Sequence, residues 1–529
     1  MHDPSPQLSP GKRCGSRIGV GLAAGAVLLL VGTVHVQATR DGHAWGDDFA
    51  LYVMHAQNLA EGRPYAATGY VYNPQEPNIG PPTYPPGTAV ILAPVYSLFG
   101  LDFTAMKAAM IACLLVFLAM VFLAFRDELS PAERLVLVLL LGLNPFLLEQ
   151  SNNIGSHLPF LALFYLALFL LGRAEKSAEQ TPAGAARYAW FLAAGVVCYL
   201  AFATRTLGAL LIVSLSAAEL IRKRRISGPV LLATAAFAAL AVGQTIWLHS
   251  DVHYLDQFNH GLRLAGNAHD YSNRLAAFWH NGHWRLPSIL LCLAASSLAL
   301  LGYVGQLCRR ITSRELFAAG YVAVLLLWPS YQGEHYLLPV YPLYLFYAFL
   351  GLRLLPVVIE MVLRLFHASP VLRHPWPAWL QRTIAVVLAL AIMVTYGIRL
   401  SGLQRTPLPE GIAKVESQEL FAMARMLSRP GDVIVFVKPR AMALFTGRKS
   451  MSYYQAARDE GFWKNLEQQG AKWLVVVEND GALKPDEDPK KMSYLRQLVR
   501  RNPTRLDLRY QNADFSLYAI RWYTSLLAK

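Results

Sequence analysis

Apolar runs recur through the first 400 residues of this chain and then stop. A helix needs roughly 20 apolar residues to cross a hydrocarbon core of about 30 Å. Eleven windows approach that length: Ile18 to Val36, Phe103 to Phe125, Glu133 to Leu148, Leu158 to Leu171, Tyr188 to Ala203, Leu207 to Ile221, Pro229 to Leu248, Pro287 to Leu307, Leu316 to Tyr331, Tyr336 to Leu352 and Thr383 to Leu400. The pattern predicts a polytopic α-helical membrane protein with about 11 transmembrane helices. Leu354 to Phe366 is apolar but carries Glu360 and Arg364 and follows Arg353, so it reads as a helix lying on the membrane surface. Pro85 and Pro86 open a short apolar stretch that ends near Gly100, too short to span, which predicts a broken or re-entrant element.

From Gln404 the periodicity becomes that of a soluble domain. Glu416 to Leu427, Phe462 to Gln469 and Lys490 to Arg501 have helical spacing. Val433 to Val437 and Trp473 to Val477 read as short buried strands, and Leu506 to Tyr510 with Phe515 to Ile520 as a hairpin. The expected division is a membrane domain over 1–403, with a first outer loop at 40–84, and a small α/β domain over 404–529.

Composition agrees with the membrane class: 54% of residues are hydrophobic and 16% charged, against about a quarter charged in soluble proteins. The formal charge of +14 does not point to nucleic acid, because the basic residues cluster in short loops. Lys12, Arg13 and Arg17 precede the first run, Arg222, Lys223, Arg224 and Arg225 follow the sixth, and Arg309, Arg310 and Arg314 follow the eighth. The positive-inside rule puts these ends in the cytoplasm, and an odd number of spans carries the C-terminal domain to the outer, periplasmic side of a bacterial inner membrane. The first run is long enough to stay as an anchor rather than be cleaved after Ala38. None of the five cysteines is placed to build an outer disulfide, and none suggests a metal site.

The first outer loop opens with Trp45-Gly46-Asp47-Asp48-Phe49-Ala50-Leu51-Tyr52 and continues to Asn58-Leu59-Ala60-Glu61-Gly62. Two adjacent carboxylates in a partly apolar site repel, so one of them is expected to titrate closer to neutrality and to serve as a base. The alternative is that Asp47 caps a helix starting near Asp48 and that both are solvated.

This segment resembles the first-loop signature of the GT-C glycosyltransferases, the superfamily that includes protein O-mannosyltransferases and the aminoarabinose transferase of lipid A. Three later stretches resemble that superfamily's recurring segments, in the same order along the chain: Pro81-Pro82-Thr83-Tyr84-Pro85-Pro86-Gly87, Thr204-Arg205-Thr206-Leu207-Gly208 and His335-Tyr336-Leu337-Leu338-Pro339-Val340-Tyr341-Pro342. The resemblance implies a GT-C-like bundle and an enzyme that moves a sugar from a polyprenyl-phosphate donor to a periplasmic glycan, lipid or protein acceptor. It assigns the base to Asp48, by its spacing to Tyr52, with Asp47 as the alternate. A single displacement would invert the anomeric centre.

The departing phosphate gathers charge and requires a cation or aligned donors. Arg205 is the first candidate, with Tyr84 and His335 at the matching motif positions; an arginine snorkelling to lipid headgroups is the alternative for Arg205. The chain departs from the family at both companions, since Tyr84 stands where a lysine precedes the proline pair and His335, after Glu334, stands where an arginine precedes tyrosine. His157 occupies a position where relatives often carry a carboxylate. Glu149, His157 and Glu334 are the candidates to orient the acceptor or a divalent cation. The polar loop with His253, His260, Arg263, His269 and Asp270 is either a gate or a solvated loop. Lys438-Pro439-Arg440 and Thr446-Gly447-Arg448 are expected to bind acceptor or support structure. Competing classes are a transporter or flippase of lipid-linked saccharide, expected to carry its polar groups near mid-membrane, and a catalytically silent scaffold.

Overall fold

The computed structural model describes residues 10–522 apart from 77–78, 181–183, 249–261, 280–284, most of 366–410, and 484–488. Within them, seven helices are long and apolar enough to cross a membrane. These are α1 (Pro10–Gln37), α4 (Phe103–Ala124), α7 (His157–Gln180), α8 (Ala185–Thr204), α10 (Gly228–Leu248), α12 (Arg285–Arg309) and α14 (Tyr341–Leu365). A bent pair, α5 (Pro131–Gly142) and α6 (Pro145–Ser151), makes an eighth.

The apolar run from Glu133 to Leu148, expected to be one straight span, breaks by 60° between these two helices. Asn144 accepts from the backbone N–H of Phe146 at 2.9 Å and Pro145 follows, so a cap and a missing donor stop one helix and start the next. The segments expected to span at Leu207 to Ile221 and Leu316 to Tyr331 form α9 (Ala209–Lys223) and α13 (Ser313–Leu327), each 15 residues long. At 1.5 Å per residue these cover only about 22 Å. Thr383 to Leu400 is helical where it is described. The proline-opened stretch forms the short apolar helix α3 (Gly87–Phe99), as expected of a non-spanning element.

Leu354 to Phe366 is not a separate surface helix, because α14 continues through Pro356 to Leu365. Part of the charge that argued against a crossing is paired: Arg353 pairs with Glu133 and donates to the carbonyl of Glu128 at 2.7 Å. Other basic residues at this end are likewise paired, Arg222 with Glu175 at 3.1 Å and Arg314 with Glu128 at 2.9 Å. The clusters after the sixth and eighth runs thus gather at one end of the bundle.

At the other end lies a six-stranded sheet. Its strands are β1 (Tyr70–Val71), β2 (Val433–Val435), β3 (Lys449–Met451), β4 (Ala471–Val477), β5 (Leu506–Gln511) and β6 (Phe515–Ile520), in the order β1-β3-β2-β4-β6-β5. β1 to β4 pair in parallel, and the β5/β6 hairpin closes the far edge antiparallel. Helices α15 (Val415–Leu427), α16 (Pro439–Thr446), α17 (Asp459–Gln468) and α18 (Pro489–Arg501) accompany the sheet. The expected helices, strands and hairpin of this region are present; β3, α16 and β1 are additions.

β1 comes from the first loop. Tyr70 registers with Ser450 and Val71 with Met451, and Asn73 Nδ2 donates to the carbonyl of Ser452 at 3.0 Å. Trp45, fully buried, packs its ring 5.6 to 5.9 Å from Phe421, Phe436 and Phe515. Burying so large a side chain is worth several kcal/mol, so the loop is fastened to the C-terminal sheet at two points. From the membrane side, buried Lys107 donates to the carbonyls of Arg40 at 2.5 Å and Gly42 at 2.6 Å.

Candidate active site

A cavity of about 1110 Å³ lies between the end of the bundle and the first loop. It is lined by Asp48, Tyr84, Glu149, His157, Arg205, Glu334 and His335 among others, so seven of the eight residues singled out from sequence meet in one space. The exception is Asp47, which is buried and does not line it.

Asp48 is the first residue of α2 (Asp48–Ala60), an outer helix that buries Phe49, Leu51, Tyr52 and Val53. Its carboxylate stays exposed, with 66% of the side chain accessible. Oδ1 accepts from the Tyr84 hydroxyl at 2.7 Å and from Arg440 Nη1 at 2.5 Å. The Tyr84 phenol, expected on the phosphate side, is thus committed to the carboxylate.

Asp47 stands at the N-cap position of α2, as the capping alternative required, but its side chain makes no cap bond there. Instead Oδ1 accepts from the backbone N–H groups of Arg440 at 3.0 Å and Ala441 at 3.1 Å, capping α16 across the domain interface. Its φ of 23° is unusual for a residue with a side chain, and such conformations persist only where surrounding contacts enforce them. Burial raises the Asp47 pKa to about 6, while Arg440, Lys438 and the Ala441 N–H pull it back down. One of the two carboxylates is therefore shifted toward neutrality, and it is the one outside the cavity.

Arg205 follows α8 in extended conformation, which turns its side chain along the cavity wall. Its Nε donates to Ser156 Oγ at 3.0 Å, and its guanidinium carbon sits 4.3 Å from the centre of the Tyr336 ring. Gly87 permits this arrangement: a Cβ there would meet Thr204 Cγ2 at 2.5 Å and the Ala203 carbonyl oxygen at 2.8 Å, so only glycine lets α3 abut the end of α8.

The two imidazoles that depart from the family pattern touch each other. The rings of His157 and His335 lie 4.1 Å apart beside Arg205, and His157 Nδ1 is buried with no hydrogen-bond partner. Burial first, then the Arg205 charge, push the His335 pKa well down, so that ring is neutral. Glu149 lines the cavity from α6, and Glu334 pairs with Arg274 of α11 (Leu264–Phe278) at 3.2 Å. Among the described residues no three His, Cys, Asp or Glu side chains converge as a metal ion would require.

In the polar loop, His253 and His260 fall outside the described residues. Arg263 pairs with Asp270 at 3.2 Å, and His269 bonds Asn273 at 3.0 Å, away from the cavity lining. Of the two C-terminal basic motifs, Arg448 is structural, donating to Ser428 and to the carbonyl of Arg425 at the end of α15. Arg440, expected from the sequence to bind acceptor or support structure, has a tie to the first loop that sequence reasoning missed. It is fully buried, its guanidinium reaches Asp48 and the carbonyl of Ile79, and its backbone N–H donates to the Asp47 carboxylate, with Tyr70 and Tyr84 rings each 4.9 Å away. Its motif had been noticed, but nothing in the chain's order ties it to the first loop.

Residues 83–248 match the family described as dolichyl-phosphate-mannose-protein mannosyltransferase. No curated protein matches the chain. Among solved structures, the chain is similar to the oligosaccharyltransferase AglB of Archaeoglobus fulgidus, in complex with an inhibitory peptide and a dolichol-phosphate, at TM-score 0.56 and 13% identity over 86% of this chain and 69% of that one. It is also similar to ArnT of Cupriavidus metallidurans bound to undecaprenyl phosphate, at TM-score 0.53 and 16% identity over 95% and 98%. The arabinofuranosyltransferase AftD from Mycobacteria matches at TM-score 0.52 and 15% identity, over 98% of this chain but 40% of AftD.

Proposed function

We propose that the chain, which has the fold of the GT-C superfamily proteins it resembles, is a membrane glycosyltransferase. In this reading a sugar passes from a polyprenyl-phosphate donor to a hydroxyl of an envelope glycan, lipid or protein. The observation that carries the proposal is one cavity joining a carboxylate, Asp48, to a cation, Arg205, flanked by the imidazoles of His157 and His335. A hydroxyl is a poor nucleophile without a base, and a departing phosphate needs stabilised charge, so the two must face one space.

The proposed step is a single displacement. The acceptor hydroxyl gives its proton to Asp48 while its oxygen bonds the anomeric carbon from the face opposite the phosphate. The bond from that carbon to the phosphate oxygen breaks, its electron pair stays with the phosphate, and the phosphodiester monoanion leaves as a monoester dianion. Arg205 and the adjoining imidazole N–H groups would take up that added charge. Glu149 and Glu334 lie where an acceptor could be oriented. The anomeric centre inverts. The dolichol-phosphate and undecaprenyl phosphate named in the AglB and ArnT structures support a lipid-phosphate donor.

The rest of the reading follows from charge. The paired basic end faces the cytoplasm, the N-terminus with it, and the sheet domain, taken as 404–529 beside a membrane domain of 1–403, lies in the periplasm of a bacterial inner membrane. A flippase remains the second class, and the polar groups' concentration at one end of the bundle favours chemistry over transport.

The test is transfer by the purified protein in liposomes offered a panel of polyprenyl-phosphate sugars and candidate acceptors, with Asp48→Asn alongside. Transfer is expected from one donor and should fall by about three orders of magnitude or more in the variant, in line with loss of a positioned base. Unchanged turnover in a folded Asp48→Asn protein would reject the base assignment.

A further inference from the structure

Two buried polar atoms beside the candidate base have no hydrogen-bond partner: Asp47 Oδ2 and Arg440 Nε. They face each other 3.8 Å apart, an ion pair held just beyond hydrogen-bonding distance. Every other polar atom of the two side chains is engaged. Asp47 Oδ1 takes the N–H groups of Arg440 and Ala441, Arg440 Nη1 reaches Asp48 Oδ1, and Nη2 reaches the Ile79 carbonyl. A buried donor and acceptor left unsatisfied at such proximity are unusual in native interiors, and each carries a desolvation cost.

We propose that Asp47 and Arg440 form a charge-balancing pair for the base: Arg440 is ion-paired to Asp48 while that carboxylate is ionised, and transfers its ion pair to Asp47 when Asp48 takes the acceptor's proton. The inference rests on the reading of Asp48 as the base. It explains why two carboxylates stand side by side when only one lines the cavity.

The electrostatics require such a partner. Asp47, Asp48 and Arg440 together carry one net negative charge. When the acceptor's proton arrives on Asp48 Oδ2, the oxygen that accepts from neither Tyr84 nor Arg440, Asp48 becomes neutral. Without Asp47 a fully buried guanidinium would then lack a counter-charge, a state that strongly opposes proton uptake. With Asp47 ionised 3.8 Å away, the guanidinium needs to close that gap by less than about 1 Å to gain a charge-assisted hydrogen bond. The proton leaves the acceptor oxygen, that oxygen bonds the anomeric carbon, the phosphate keeps the electron pair of the broken bond, and the guanidinium changes partner. Asp47 and Arg440 are therefore positioning residues, since neither lies against the reacting atoms.

The experiment uses the full-length protein in liposomes with a donor and acceptor that support transfer. Asp47→Asn keeps an oxygen for the two backbone N–H groups and removes the charge. It is expected to lower kcat about ten- to a hundredfold while leaving both KM values within about twofold. In an Arg440→Met background the same substitution should cost little more, because no cation is left to balance. A kcat within about twofold of the unaltered protein for Asp47→Asn, with Asp48→Asn inactive, would overturn the pair while sparing the base. Equal losses from Asp47→Asn in both backgrounds would also overturn it, since independent structural roles add. Should Arg440→Met fail to fold, the kcat and KM split of Asp47→Asn alone decides. Full transfer by Asp48→Asn would reject the base itself, a distinct failure.

Discussion

Two neutral imidazoles under the first loop should make the protein lose stability in mild acid. His43 and His55 are solvated alike in no sense: both are buried, and both use the same backbone pattern. In His43, Nδ1 bonds the Ala44 carbonyl at 2.7 Å and Nε2 accepts from the Ile154 N–H at 3.0 Å; in His55, Nδ1 bonds the Tyr65 carbonyl at 2.9 Å and Nε2 accepts from the Tyr84 N–H at 3.3 Å. A second proton on either ring would set N–H against N–H. Burial lowers each pKa from 6.5 to about 4. A histidine whose folded pKa lies below its unfolded value stabilises the fold fully above pH 6.5, and that contribution drains away as pH falls toward 4. At about pH 5 the loss is on the order of 2 kcal/mol for each ring. The assay is the unfolding midpoint in detergent, followed by tryptophan fluorescence between about pH 7.5 and pH 5, on the unaltered protein, His43→Gln and His55→Gln. The midpoint should drop with acidification, and each substitution should make the slope shallower by that ring's own share, the remainder staying with other buried rings such as His335. A midpoint that does not move with pH, or a slope identical in all three proteins, would refute the reasoning.

Other outcomes follow from packing and charge. Gly87→Ala drives a methyl into the Ala203 carbonyl and Thr204, so it should cost about 1–3 kcal/mol in the unfolding midpoint and reduce donor binding by displacing Arg205. Arg205→Lys loses the bond to Ser156 and the flat stacking on Tyr336, and should raise the donor KM about tenfold in the transfer assay. Asn267 Nδ2 donates to the carbonyls of Leu325, Leu326 and Trp328 at the end of α13; Asn267→Leu should lower stability by about 1–3 kcal/mol, measured as the same midpoint. Trp45→Ala empties the aromatic nest of Phe421, Phe436 and Phe515, and limited proteolysis should then cut the first loop at least about tenfold faster.

The membrane bundle was legible because hydrophobic length is a property of contiguous sequence. Each apolar window corresponds to a helix wherever it is described, and the break at Asn144-Pro145 carried its own cap and proline. Charge was less transparent: Arg353 looked like a surface residue because its partner, Glu133, is 220 residues away. The cavity walls could be assembled from motif order, which brought Asp48, Arg205 and His335 together. Arg440 could not, since its contact with Asp48 spans 392 residues and its helix is only eight residues long. β1 was invisible for a simpler reason, as two residues have no periodicity. The carboxylate whose titration shifts proved to be Asp47, because burial, which decides that shift, is a tertiary property.

The strand lent by the first loop sets a timetable for biogenesis. Asn73 and its partner Ser452 are separated by 379 residues, and a ribosome adding about 5–20 residues per second leaves the loop waiting on the order of 20 to 80 seconds for its mate. During that interval the half-built cavity has an open seam, with Trp45 and an unmated strand edge still uncovered. Maturation of the site therefore comes at the close of translation, and a ribosome that stalled after the last membrane segment would leave a fully inserted but inert bundle.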